Sequence, residues 1–146
     1  MDRRETPVAE QKTPWHLWAV GIAALIWNGS GAYTIMMAQA GLLPSVSADE
    51  AAYYASQPLW FAAVTDVALV SALVAAVALL LRRRVATWLF AISLVAIFVT
   101  NVYDIAAGTS RTLVSDGAAV VTVIIAVIAI LEWLYAWRMR KRAVLR

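Results

Sequence analysis

Apolar residues fill four long stretches of this chain, and polar residues gather between them. The stretches are Trp15 to about Met37, Leu59 to Leu81, Val85 to about Ile105, and about Gly117 to Trp137. At ~1.5 Å per helical residue, each can cross a ~30 Å hydrocarbon core. The second is the least interrupted, and it runs directly into Arg82-Arg83-Arg84. That three-residue link is so short that the second and third stretches must form an antiparallel helical hairpin. The pattern predicts an all-α membrane protein, a four-transmembrane-helix antiparallel bundle.

The intervening segments read differently. Residues 1–14 are polar, mixed in charge and broken by Pro7 and Pro14, as in a disordered cytoplasmic tail. Gly41 to Pro58 contains Pro44, Asp49 and Glu50 and no Lys or Arg. Ser47 stands three residues before Glu50, a capping-box spacing that predicts a short helix through Ala55, with Tyr53 and Tyr54 at the interface. Ala106 to Asp116 is a turn-rich outer loop, and 138–146 a basic cytoplasmic tail. A signal peptide is a rival reading of the first stretch, because Ala38-Gln39-Ala40 fits a cleavage pattern. Against it, the apolar part is longer than a usual signal core, and Asn28-Gly29-Ser30-Gly31 would interrupt it.

Charge sets the orientation. Every Lys and Arg except Arg111 falls on one side of this layout: Arg3, Arg4, Lys12, Arg82, Arg83, Arg84, and Arg138 through Arg146. The positive-inside rule then places both termini in the cytoplasm, as a multi-pass protein of a bacterial inner membrane. Composition agrees. The chain is 63% hydrophobic and 14% charged, whereas soluble domains sit at about 45–50% and about 25%. The net charge of +3 does not point to nucleic acid, since the basic residues sit at the ends of apolar runs. Cysteine is absent and there is one histidine, which leaves no thiolate metal site, disulfide or histidine cluster. No metal or cofactor is implied.

Polar residues inside the spans are the candidate chemistry, because lipid cannot satisfy them and they usually face the bundle interior. Asp66, Asn28 and Asn101 lie at similar depth in the outer half, with Tyr33 and Tyr103 as rims. They predict one polar cluster. It either fixes helix register through interhelical hydrogen bonds, or binds a proton, cation or hydroxylated ligand through Asp66. No basic residue lies at that depth to pair with Asp66, which suits a hydrogen-bond donor or proton carrier. Glu132 lies near the inner end of the fourth span and His16 at that of the first. They predict an ion pair, Glu132 with His16 or the arginine loop, and less directly a proton relay. Small residues recur every fourth position at Ala24, Asn28 and Ala32, at Ala68, Ala72 and Ala76, and at Ala118, Thr122 and Ala126, so helix backbones can approach closely. Trp15, Trp18, Trp88, Trp133 and Trp137 cluster towards one side as interfacial anchors.

Several of these residues also form a pattern: Ile26-Trp27-Asn28-Gly29 with Gly31 and Tyr33, Tyr53 or Tyr54 before Pro58-Leu59-Trp60, the leucine-rich run into Arg82-Arg83-Arg84, Ser93-Leu94 and Tyr103, and Trp133 with Tyr135-Ala136 and Met139. This resembles a family of small four-span bacterial inner-membrane proteins of uncharacterised function, commonly labelled sugar transporters. The layout is also similar to DoxX-type proteins in architecture. The resemblance implies an integral membrane protein, with small-molecule or proton-linked transport or ligand binding as the expectation.

A structural or accessory subunit of a larger membrane complex is the competing expectation. A single bundle has little room for a solute path, so transport calls for a homo-oligomer. An enzyme is not expected, since the chain has no GxSxG motif and no metal-ligand set.

Overall fold

The computed structural model of the chain describes residues 13–42, 47–108 and 116–146. Most of the predicted N-terminal tail and of the 106–116 loop, including Arg111, lies outside them.

Among the described residues five helices follow one another: α1 (Trp15–Gln39), α2 (Ala48–Ser56), α3 (Leu59–Leu80), α4 (Val85–Ala107) and α5 (Asp116–Lys141). Proline marks two of the starts. Pro14 and Pro58 lie in extended conformation at the N-caps of α1 and α3, where their missing N–H costs nothing. Gly108 ends α4 at φ 64°, a left-handed conformation that glycine adopts without a Cβ clash. The short helix expected in the first loop is α2. All but α2 are long and apolar enough to cross a membrane.

α3 is the central element and packs on both α1 and α4, while α5 packs on α4. Its buried stripe is Ala68, Ser71, Ala72, Ala75, Ala76 and Leu79, at three- and four-residue spacing. Small side chains there bring the neighbouring backbones close. The outward faces are apolar: Ile26 is 67% exposed, Phe98 68% and Ile105 72%. In water such faces would drive association, whereas acyl chains solvate them. The fold is thus the four-span bundle that the hydropathy pattern predicts.

The packed core lies at the arginine-rich end of the bundle, where Leu17, Leu79, Phe90, Met139 and Leu145 are fully buried. The basic tail, 138–146, takes part in this core. α5 runs on past Trp137 to Lys141, the chain turns at Ala143 (φ 55°), and Val144 and Leu145 tuck into the core. Beyond the turn, the Arg146 N–H donates to the Arg82 carbonyl (2.6 Å) and the Arg84 N–H donates to the Arg146 carbonyl (3.0 Å). Arg82 itself sits at φ 59°. A left-handed non-glycine residue costs about 1 kcal/mol or more. Burying a Val or Leu side chain contributes roughly 1.5–3 kcal/mol, which offsets that cost.

Candidate functional site: a half-open cavity between the helices

The end of the bundle opposite the arginines is hollow. A cavity of about 540 Å³ lies between α1, α3, α4 and α5, with Tyr53 of α2 reaching its wall. Its size is that of a small-molecule pocket. The sequence explains the position. α3 and α4 are held together by the tight Arg82–Arg84 turn. α1 packs on α3 and α5 packs on α4, so α1 and α5 diverge and leave space between them. Exposed residues of both helices, Trp27, Ser30 and Thr34 on α1 and Val121 and Val123 on α5, line the same cavity. It therefore opens sideways between α1 and α5, toward the surface that lipid would cover.

One stripe of α4 supplies four polar residues of the wall, Ser93, Thr100, Asn101 and Asp104, with Ile97 among them. These recur at three- and four-residue spacing and so share a face. Asp104 is 8% exposed and accepts a hydrogen bond from the Tyr53 hydroxyl at 2.7 Å. That contact ties α2 to α4 at the cavity wall. At the floor of the cavity, on the side of the arginines, Asn28 Nδ2 donates to Glu132 Oε1 (2.9 Å) and to the Ala24 carbonyl (2.8 Å). This is a direct polar tie between α1 and α5.

Several other polar groups of the wall donate to their own helices: Thr65 Oγ1 to the Phe61 carbonyl, Thr100 Oγ1 to the Ala96 carbonyl, and Asn101 Nδ2 to the Ile97 carbonyl. The two threonines keep oxygen lone pairs, and Asn101 keeps its carbonyl oxygen and a second N–H. Among the described residues no basic side chain lines the cavity. An apolar chamber edged with hydrogen-bond acceptors suits a molecule that is mostly apolar and carries hydroxyl or amino donors.

The structure brings Asn28 and Asn101 into this wall and keeps Asp66 out. Asp66 is exposed on the outer face of α3, among Ala63, Val67 and Val70, and does not line the cavity. The physical reason is helical phase. α3 buries the stripe through Ala68 and Ala72, and a residue two positions before Ala68 points to the opposite side. Tyr33 is 64% exposed on α1. Tyr103 packs on Trp60 and Phe61, at ring-centroid distances of 4.7 and 5.6 Å, and does not line the cavity either. The single cluster of Asn28, Asp66 and Asn101 is therefore not formed.

The expected pairing of Glu132 with His16 is not formed either. His16 Nδ1 lies 2.6 Å from the Tyr135 hydroxyl, and Glu132 instead meets Asn28. α5 continues to Lys141, so Glu132 lies about 13 Å inside its helix end, too deep for the arginine loop.

Sequence reasoning missed Tyr53, Thr65, Thr100, Asp104 and Thr122 as wall residues. The periodic stripe from Ser93 to Asp104 was the available signal on α4. Nothing local marked the others.

No family model matches this chain, and neither a curated protein nor a solved structure does. The chain is a multi-pass integral membrane protein on the strength of its four apolar helices and the bundle they form.

Proposed function

We propose that this protein binds a small amphipathic molecule in the cavity between α1, α3, α4 and α5, as a ligand-binding or transport component of a bacterial inner membrane. Both termini lie on the cytoplasmic side, and the cavity occupies the outer half. The observation that carries the reading is the chamber of about 540 Å³, apolar in bulk, edged by acceptor oxygens and open sideways to lipid. The ligand reaches it from the bilayer, places its apolar body against Leu69, Ala72 and Ile97, and donates hydrogen bonds to Asn101, Thr100 or Asp104. A family of transport-labelled four-span proteins, which the sequence resembles, is consistent with this role.

Native mass spectrometry of the protein purified in its own lipids tests the proposal. The wild type should retain a discrete small molecule. Thr100→Trp, which fills the cavity from α4, should lose it, and Asp66→Asn should keep it. Equal retention by wild type and Thr100→Trp, or no retention by either, would refute the cavity as the site.

One observation favours a second reading, an accessory subunit of a larger complex. Asp66 stands alone on an otherwise apolar outward face of α3, where a partner helix with a donor would satisfy it. Co-purification of a stoichiometric membrane partner that Asp66→Leu releases would support that reading over the first.

A further inference from the structure

The arginine-rich end of the bundle gathers positive charge with no acidic side chain beside it among the described residues. Arg82, Arg83 and Arg84 end the α3 side, and the segment from Arg138 to Arg146 is folded back against them. Two like-charged strands are held within hydrogen-bond distance by backbone contacts, with Arg82 Nε donating to the Val144 carbonyl (3.2 Å) and Arg84 Nε to the Leu145 carbonyl (3.3 Å). Such an approach is electrostatically uphill. Residues 13–20, 78–91 and 133–146, which build this end, contain no Asp or Glu. Residues 1–12 carry three acids against three bases and bring no net counter-charge. The side chains of the described residues that build this end therefore supply no counter-charge.

The position of this end says which charge would suit it. The guanidinium carbon of Arg140 lies 5.4 Å from the Trp88 ring centroid, and Lys141 Nζ lies 3.7 Å from that of Trp137. Tryptophans at span ends sit at the headgroup level of a bilayer, so the cations stacked on them sit there too. Arg83, Arg138 and Arg142 are exposed, and the hydrogen bonds of Arg83 and Arg142 run through their backbones, which leaves their planar guanidinium forks available to the headgroup layer.

We propose that this clasp is a binding site for anionic phospholipid, whose headgroup phosphate supplies a counter-charge to the exposed arginines and locks the 142–146 segment onto the α3–α4 turn. Free inorganic phosphate shares the recognising chemistry, but only the lipid is delivered at this depth and concentration. The site is separate from the cavity and does not depend on what the cavity holds.

The test uses the full chain in nanodiscs of phosphatidylcholine alone, or of phosphatidylcholine with a minority of phosphatidylglycerol. Amide hydrogen exchange is read at Arg84 and Arg146, whose N–H groups close the clasp. A basic residue near an anionic surface contributes about a fivefold gain in association. Exchange at both amides should therefore slow at least about fivefold with phosphatidylglycerol. Most of that gain should vanish in the Arg83→Gln/Arg138→Gln/Arg142→Gln variant, which leaves the clasp's own hydrogen bonds in place. Mass spectrometry of the wild type should find phosphatidylglycerol retained above its share of the disc. Equal exchange in the two lipids, retention at the bulk ratio, or full reproduction of the effect by inorganic phosphate in phosphatidylcholine discs would each overturn the proposal.

Discussion

Removing the polar tie between α1 and α5 should loosen the bundle where it is already most open. Asn28 Nδ2 sits 2.9 Å from Glu132 Oε1, and these two helices have little other contact at that depth. Interhelical hydrogen bonds in membranes contribute about 0.6 kcal/mol on average and up to about 1.7 kcal/mol. This one is accepted by a carboxyl oxygen, so the upper half of that range applies, about 1–1.7 kcal/mol. Asn28→Ala and Glu132→Ala each remove more than the bond. The first leaves a part-buried carboxyl without its donor, a cost of about 1–3 kcal/mol. A double-mutant cycle isolates the pairwise part. Asn28 also donates to the Ala24 carbonyl, but that carbonyl lies on its own helix and cancels from the cycle. Unfolding of the four proteins in mixed micelles with increasing SDS, followed by tryptophan fluorescence, gives the coupling energy; Trp133 lies beside Glu132 as a reporter. Glu132→Gln should retain most of the coupling, because an amide oxygen also accepts. A coupling under about 0.3 kcal/mol would mean that the tie does not hold α1 to α5, and the account of the cavity floor would fail with it.

Other outcomes follow from the packed end. Phe90 is 2% exposed within the core, so Phe90→Ala should cost about 3–5 kcal/mol in the same unfolding assay. A Cβ on Gly21 would stand 2.5 Å from Leu80 Cδ2, so Leu80 must shift to admit Gly21→Ala, which should be less favourable in the wild type than in a Leu80→Ala background, where only the helix-propensity gain of about 0.5–1 kcal/mol remains. Equal effects in the two backgrounds would remove the proposed contact between α1 and α3. Ala143 is held at φ 55°, and Ala143→Gly should stabilise the protein by about 0.5–1 kcal/mol by relieving that strain. A loss of stability there would show that the turn into the clasp is not strained.

Much of this molecule is local and one-dimensional. Four spans, the α3–α4 hairpin and the short α2 follow from run lengths, from Pro14 and Pro58 at helix starts, and from a three-residue turn. Each depends on residues near one another in the chain, and on the bilayer rejecting unpaired backbone polar groups. Depth was legible only in part: Glu132, expected near the inner end, meets Asn28 of the outer-half set, because α5 runs on to Lys141. Azimuth was not legible. Asp66 and Asn28 lie at comparable depth, yet one points out of the bundle and the other into it, because the choice of buried face on α3 depends on which neighbours its alanine stripe meets. The pairing of Glu132 with Asn28, the approach of Tyr53 to Asp104 and the docking of Leu145 under the arginine turn join residues far apart in sequence. Such contacts are set by how whole helices lean on one another, and only the packed structure specifies them. The cavity has the same origin: it is the gap left where α1 and α5 follow different partners, and no stretch of the chain encodes a gap.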